Sequence, residues 1–180
     1  QLDNAINNKT KPLGSLGVLE SVAKQIGMIQ QTTQVALSKP AILVFAADHG
    51  VVSEGLSAYP QSVTWPMVEN FLARVAAINV FARQNDCALH IVDAGVNHNF
   101  GPRVGLTDRK LGPGTRNFAV EPAMTQEQCA AAIAAGMGLV TELDGNVIGF
   151  GEMGNLFGGV DGRDGRRRTT DGRTDPRTGF

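Results

Sequence analysis

The spacing of apolar residues predicts helices and strands in alternation along the first half of the chain. Residues 16–31 carry an apolar residue at every third or fourth position, which predicts a helix with Ser15 as its N-cap. The same spacing between residues 66 and 84 predicts one further helix, with Pro66 in its first turn. Between them, the uninterrupted apolar run at residues 41–47 is typical of a strand that is buried on both faces.

The second half continues this alternation. Residues 88–93 and 146–150 are short apolar runs that predict two more strands. Thr125 and Gln128 form a T-x-x-Q capping box, which predicts that the alanine-rich segment at residues 129–143 is a helix that begins at this point. Strands that alternate with helices favour right-handed βαβ units, so we predict an α/β fold with a parallel sheet and flanking helices.

Composition changes abruptly at Asn155. Residues 155–180 contain six Gly and six Arg but only four apolar residues, too few to supply a core. The Arg residues alternate with Asp and no aromatic residues stand between them, which favours a solvated tail over an RNA-binding segment. We therefore predict an N-terminal helical segment at residues 1–40, an α/β domain at residues 41–154, and a disordered Gly/Arg-rich tail at residues 155–180.

Composition and charge narrow the functional classes. A net charge of −1 argues against a nucleic-acid-binding surface, and no stretch approaches the roughly 20 apolar residues of a membrane helix. Two cysteines, Cys87 and Cys129, are too few for a disulfide framework and fit a reducing compartment. The polar start lacks the pattern of a signal peptide, although its first residue is not Met, so we expect a cytoplasmic protein.

Three carboxylates directly follow predicted strands: Asp48, Asp93 and Glu152. In a parallel sheet the carboxyl ends of the strands meet at one edge, where ligands bind, so we expect these side chains to line a common rim. The sequence does not predict three Lys or Arg residues at the same edge to neutralise these carboxylates. Such a rim suits a ligand with positive charge or many hydroxyls, such as a pyridinium or a ribose.

Other interpretations of the same carboxylates stay open. A metal site is one, because His49 adjoins Asp48 and His98 follows Asp93 by five residues, although no His-x-x-x-His spacing supports it. Capping of helices or fixing of loop amides by the two aspartates is another.

Two further features have a functional and a structural interpretation. Residues 149–154 match G-x-G-x-x-G but end the last predicted unit instead of opening the first, so a dinucleotide site is disfavoured and only a close approach of backbone amides to a phosphate remains. Tyr59 lies within a polar loop at residues 57–64 and Trp65 follows it; a heterocycle could stack there or the loop could simply pack down.

Six segments in this order carry a resemblance to a known family. They are KTKPLGSLG at residues 9–17, FAADHGV at 45–51, VDAGV at 92–96, GTRN at 114–117, PAMT at 122–125 and IGFGEMG at 148–154. Through them the chain resembles the nicotinate-nucleotide:dimethylbenzimidazole phosphoribosyltransferases, the CobT family of cobalamin biosynthesis.

The resemblance implies a Rossmann-like parallel sheet with a small helical subdomain, a homodimer, and no metal or organic cofactor. It also implies transfer of phosphoribose from nicotinate mononucleotide to 5,6-dimethylbenzimidazole, which gives α-ribazole 5′-phosphate and nicotinate. Position in the motifs makes Glu152 the acidic catalytic residue beside the ribose. The substrate-binding residues expected around it are Asp48, His49, Ser57, Tyr59, Asp93, Gly151 and Gly154, with the 57–64 loop beside the benzimidazole.

Departures from the family pattern lower the expected activity. The family places its principal general base, a glutamate, near the C-terminus of a longer chain, and this sequence ends first, with a tail that resembles a reading-frame change or a truncation. Loss of such a base predicts very weak turnover. The alternative hypothesis is a non-catalytic fragment that only binds nucleotide or dimerises. A dinucleotide-binding module is a third and less favoured hypothesis.

Two substitutions within the motifs also depart from the family. Pro66 stands where the family has Gln, near the aromatic substrate, and Arg74 and Val75 replace a Gly-Gly pair. We expect the larger side chains either to fill space that the family leaves open or to shift their helix.

Overall fold

The structure is a computed structural model that describes residues 1–57 and 59–154. The described residues form two compact units, Gln1–Ser38 and a second unit that begins at Lys39. The predicted tail at residues 155–180 lies outside the described residues. No helix in the described part of the chain is both long and apolar enough to cross a membrane.

The first unit consists of helices α1 (Leu2–Asn7) and α2 (Val18–Ile29). The prediction of Ser15 as the N-cap of α2 is wrong, because Gly17 is the N-cap and makes no side-chain capping bond. Glu20, in the first turn, accepts a hydrogen bond from the Leu16 amide at 3.1 Å and pairs with Lys11 at 2.8 Å. A carboxylate inside the helix thus stabilises its positive end, a role that the sequence pattern assigned to a serine.

The second unit is built on a four-stranded parallel sheet, which confirms the predicted fold class. Its strands are β1 (Ala41–Ala47), β2 (Ala88–Gly95), β3 (Leu106–Asp108) and β4 (Ile148–Met153), in the order β3-β2-β1-β4. β1 is hydrogen-bonded to β2 on one side and to β4 on the other. The sequence pattern missed β3, because three residues are too few to show an alternating period.

The last strand begins two residues later and ends three residues later than the predicted strand at residues 146–150. β4 continues to Met153, so most of the G-x-G-x-x-G stretch is strand and not a phosphate-binding loop, and the dinucleotide interpretation loses its structural basis. Gly151 packs against β1, where an added Cβ would lie 3.3 Å from Cγ2 of Val44. This glycine therefore makes room for a β-branched neighbour in the sheet.

The single helix predicted for residues 66–84 is in fact two, α3 (Thr64–Leu72) and α4 (Ala77–Gln84). α3 ends in a Schellman motif, in which the amides of Arg74 and Val75 each donate, over 3.1 Å, to the carbonyls of Phe71 and Asn70 respectively. Arg74 adopts a left-handed conformation with φ of 62°. The apolar spacing continues across this break and so does not reveal it.

Helix α5 (Gln126–Thr141) begins as predicted. The Thr125 hydroxyl accepts a hydrogen bond from the Gln128 amide at 3.2 Å, and the Gln128 side chain accepts one from the Thr125 amide at 2.9 Å. This reciprocal pair is the capping box that the sequence indicated.

The core lies on both faces of the sheet. On one face, Val44 and Ala46 of β1 pack with Val68 and Phe71 of α3. On the other, Leu43 of β1, Val92 of β2 and Leu139 of α5 form a second cluster. Successive side chains of a strand point to opposite faces, so a strand covered on both sides is apolar throughout, as β1 is.

The left-handed Arg74 generates a stability prediction. Arg74→Gly should raise the free energy of unfolding by about 1 kcal/mol, because a glycine adopts this backbone conformation without the Cβ clash of an L-residue. Chemical denaturation monitored by circular dichroism measures the change. Arg74→Ala is the control and should give no comparable gain; an equal gain would assign the cost to the arginine side chain and not to its backbone.

Candidate functional site

The carboxyl edge of the sheet collects the candidate residues. Strand order reverses between β1 and β4, and ligands of open α/β sheets bind at such a point. Asp48 follows β1, Asp93 pairs with Ala46 near the end of β2, and Glu152 pairs with Phe45 near the end of β4. All three carboxylates therefore lie at one edge, although Asp93 and Glu152 belong to their strands instead of following them.

Asp93 is fully engaged within the protein. It is 3% exposed, and its Oδ1 accepts hydrogen bonds from the amides of Gly95 (3.1 Å) and Val96 (2.9 Å). Its Oδ2 pairs with Nζ of Lys110 at 3.0 Å. These contacts are those of a residue that fixes a loop, the structural alternative that the sequence left open.

Asp48 joins β1 to a neighbouring loop in a similar way. It is also 3% exposed, and its Oδ2 accepts a hydrogen bond of 2.7 Å from the Asn97 amide. Its Oδ1 has no hydrogen-bond partner among the described residues. Burial leaves this carboxylate little access to a ligand, so its contacts indicate a supporting role.

Glu152 is the accessible carboxylate of the three. Its side chain is 49% exposed, and its Oε1 lies 4.0 Å from Nε2 of His49. Partial burial raises the pKa of the Glu152 carboxyl above its ordinary value, and the positive charge that His49 can carry opposes this shift. The other ring nitrogen of His49, Nδ1, lies 3.3 Å from the Thr115 hydroxyl.

Gly154 lies directly against this pair. A Cβ at this position would lie 2.6 Å from Oε1 of Glu152, 2.6 Å from the carbonyl oxygen of Ala47 and 3.0 Å from Nε2 of His49. The glycine therefore leaves the space in which the carboxylate and the imidazole face each other.

The loop around Thr115 is a part of the site that reasoning from residue chemistry missed. The Thr115 amide donates to the Asp48 carbonyl at 3.0 Å, and the Gly50 amide donates to the Thr115 carbonyl at 2.9 Å. An added Cβ on Gly50 would lie 2.6 Å from the Asn117 amide nitrogen, so the two backbones touch. The GTRN motif pointed to this loop through the family resemblance, but not to its contact with His49.

A cavity of about 390 Å³ opens beside this pair. Its apolar walls include Phe45 of β1 and Ala132 of α5, and His49 lines it as well. Two cations also line it: Arg109, paired with Glu142 at 3.0 Å, and Arg116, whose Nη1 lies 3.5 Å from Glu121. The combination suits a flat apolar group that carries an anionic substituent.

Ser57 and Tyr59, expected beside an aromatic substrate, belong to a loop outside this cavity. In the described part of the chain, neither Ser57 nor Tyr59 lines the cavity, and the Ser57 hydroxyl accepts a hydrogen bond from the Tyr59 amide at 3.2 Å. Trp65 stacks on His98 with ring centroids 4.8 Å apart and an interplanar angle of 15°. One face of the indole is therefore already covered by the protein.

The described residues contain no cluster of side chains that would support the metal interpretation. Within residues 1–57 and 59–154, no group of three or more His, Cys, Asp and Glu side chains could hold an ion. His98 contacts Trp65 and Phe100 by its ring.

Comparison with known proteins decides the family. The sequence profile of the DBI_PRT family, described as phosphoribosyltransferase, matches residues 1–155. The chain belongs to the CobT family of phosphoribosyltransferases. The resemblance noted in six sequence motifs is thereby confirmed.

Relatives within the CobT family are closely similar in sequence. The nicotinate-nucleotide–dimethylbenzimidazole phosphoribosyltransferase of Janthinobacterium sp. (strain Marseille) is 72% identical over 154 residues, covering 86% of this chain and 45% of the relative. That of Dechloromonas aromatica is 58% identical over 156 residues, covering 85% and 45%. The chain thus spans slightly less than half the length of these relatives.

A solved CobT structure shares the fold. The crystal structure of CobT from Thermus thermophilus superposes with a TM-score of 0.79 at 42% identity, over 86% of this chain and 47% of that one. A second structure from the same organism gives 0.80 at 43% identity, over 86% and 48%.

The raised pKa of Glu152 generates a pH prediction. The folded state binds the proton of this carboxyl more tightly than the unfolded state does, so stability falls as pH rises between the two pKa values. Glu152→Gln removes this cost, and its melting temperature should exceed that of the wild type at pH 8. The gain should shrink toward pH 4, where the wild-type carboxyl is increasingly protonated. Thermal melts at both pH values measure it, and an equal gain at both would contradict the explanation.

The close approach at Gly154 generates a second prediction. Gly154→Ala should lower the free energy of unfolding by about 1–3 kcal/mol, because the new methyl group meets a backbone carbonyl and the Glu152–His49 pair. Gly138→Ala in α5 is the matched control: nothing lies within 4 Å of its added Cβ, and it should raise stability by about 0.5–1 kcal/mol. Denaturant titration compares the two, and similar effects of both would refute the steric argument.

Proposed function

We propose that this chain forms the ribose-facing sheet edge of an enzyme that transfers phosphoribose from nicotinate mononucleotide to 5,6-dimethylbenzimidazole. The products are α-ribazole 5′-phosphate and nicotinate. The observation that carries the proposal is the accessible Glu152 carboxylate, 4.0 Å from His49, at the strand-order reversal of a CobT-family sheet. The names of the relatives at 72% and 58% identity support the choice of substrates.

The reaction places few demands on acid catalysis. The bond between the ribose C1′ and the pyridinium nitrogen breaks, its electron pair returns to the ring, and nicotinate leaves without needing a proton. A ring nitrogen of dimethylbenzimidazole forms the new bond to C1′, and its other nitrogen loses one proton. The main requirements are orientation of the two rings and negative charge beside a ribose that becomes cationic at the transition state.

Glu152 meets the electrostatic requirement. Its carboxylate lies at the sheet edge with roughly half its side-chain surface open to a ligand, so a ribose could approach within direct contact. Fixed negative charge that is partly removed from water stabilises a developing cation more strongly than bulk solvent does. The resemblance to the family implies that a different glutamate, outside this sequence, accepts the proton.

The cavity beside His49 supplies a place for the remainder of the nucleotide. Its apolar walls suit the nicotinate ring, and Arg109 and Arg116 suit the anionic groups. Both arginines are paired with carboxylates that are exposed, and such surface pairs are weak, so a phosphate can replace either carboxylate. Asp48 and Asp93 support this edge by holding backbone amides.

Other expectations from the resemblance stay predictions. They are the binding of the benzimidazole by the loop that contains Ser57 and Tyr59, a homodimer, a cytoplasmic location, and the approach of Gly151 and Gly154 to the nucleotide. Gly154 faces Glu152, which supports its place beside the ligand, whereas Gly151 packs against Val44 within the sheet.

Calorimetric titration of the purified chain with nicotinate mononucleotide tests the proposed site. We expect one ligand per chain, and Glu152→Gln should weaken its affinity about tenfold, because a charge-assisted contact contributes roughly 1.5–3 kcal/mol when buried and less when half exposed. Thr107→Val, on β3, is a control that should bind as the wild type does. Tight binding of NAD in place of the mononucleotide would contradict the proposal.

Turnover is tested in a chimera. Residues 1–154 would replace the corresponding segment of the 72%-identical Janthinobacterium relative, and chromatography would follow nicotinate and α-ribazole 5′-phosphate, expected in equal amounts. Glu152→Gln in the chimera should lower kcat by about 10²-fold, the usual loss when one preorganised electrostatic group is removed. A chimera that binds substrates but retains full kcat without Glu152 would overturn the role of this carboxylate.

A further inference from the structure

We propose that Thr115 is a positioning residue of this site, whose hydroxyl holds the His49 imidazole against the Glu152 carboxylate. The importance of this arrangement for substrate rests on the proposed function. The arrangement itself rests on geometry alone and extends the site to a loop that is remote in sequence from both partners.

Each ring nitrogen of His49 faces a different partner. Nδ1 of His49 lies 3.3 Å from Oγ1 of Thr115, and Nε2 lies 4.0 Å from Oε1 of Glu152. An imidazole anchored at one nitrogen has its second nitrogen directed, because the two point away from each other across a rigid ring. The hydroxyl therefore determines which way the ring faces the carboxylate.

The backbone of Thr115 is fixed beside His49 by hydrogen bonds. Its amide donates to the carbonyl of Asp48 and its carbonyl accepts from the amide of Gly50, so it is hydrogen-bonded to the residues on both sides of His49. Gly114 has φ of 113°, and an added Cβ there would lie 2.7 Å from the Asp48 carbonyl oxygen. Glycines thus bring the two backbones together, which places the Thr115 hydroxyl beside the imidazole.

The basic group that lies near the Glu152 carboxylate is the His49 imidazole. Within the described part of the chain, His49 is the residue whose basic nitrogen lies within 4.0 Å of this carboxylate. The two cations of the neighbouring cavity, Arg109 and Arg116, are paired with Glu142 and Glu121. The Asp48 carboxylate is directed to the Asn97 amide.

An imidazole that carries a positive charge donates from both of its nitrogens. Thr115 then accepts from one nitrogen while the other faces Glu152, and the attraction lowers the pKa of Glu152 against the effect of burial. Release of the ring should weaken this attraction and move the pKa of Glu152 upward.

The experiment is a carboxyl-carbon NMR titration of Glu152 in the ligand-free full chain, assigned by comparison with Glu152→Gln. Thr115→Val should raise the titration midpoint, and Thr115→Ser, which retains the hydroxyl, should restore it toward the wild-type value. His49→Gln should raise it as well. In the double variant, Thr115→Val should add nothing to His49→Gln, because the hydroxyl acts only through the imidazole.

Controls separate this effect from a general loosening of the fold. Thr107→Val removes a hydroxyl from β3, opposite Val92 in the sheet, and should leave the midpoint unchanged. Amide spectra establish that each variant is folded. If Thr115→Val does not fold, the wild-type chain provides an independent measurement, since the Nδ1 proton of His49 should exchange slowly with solvent when it is hydrogen-bonded.

The outcomes are distinct. A midpoint that is unchanged in Thr115→Val, additive shifts in the double variant, or rapid exchange of the Nδ1 proton would each overturn the proposal. Titration of the same proteins with nicotinate mononucleotide then separates the two claims. If the Thr115 and His49 variants shift the Glu152 midpoint as expected but nucleotide does not bind, the proposed function is refuted and Thr115 remains the residue that positions His49. If nucleotide binds but the midpoint does not depend on Thr115, the proposed function stands and the positioning role is refuted.

Discussion

Parallel pairing on both edges of β1 is the constraint on which the rest of the structure depends. β2 and β4 are each hydrogen-bonded to β1, in registers that bring Asp93 beside Ala46 and Glu152 beside Phe45. Residues from segments far apart in the chain therefore end at one edge. If β4 slipped by one residue, Glu152 would move to the opposite face of the sheet and away from His49.

Backbone contact between loops converts this edge into a site. The His49 and Thr115 segments are bridged by hydrogen bonds on both sides of the imidazole, and Gly50 and Gly114 permit that approach. Gly154 permits the carboxylate of β4 to reach the same place. The glycines of the motifs thus permit close contacts between protein segments.

The three predicted carboxylates divide into two kinds. Asp48 and Asp93 are buried and hold loop amides, so they maintain the shape of the edge. Glu152 is half exposed and has an imidazole beside it, so it is the one that a ligand can meet. In Asp93 the oxygen that accepts two backbone amides has little capacity left for a substrate, and in Asp48 burial limits access.

The sequence alone determined the parallel α/β fold, the capping box of α5, the family, and the placement of three carboxylates near one edge of the sheet, because local spacing and motifs carry that information. Only the tertiary structure decided that residues 66–84 are two helices, that the glycine-rich stretch is part of β4, and that Thr115 contacts His49. These features are the left-handed Arg74 that ends α3, the pairing of β4 with β1, and a contact between residues that lie 66 positions apart. All three depend on non-local packing, which the spacing of apolar residues does not report.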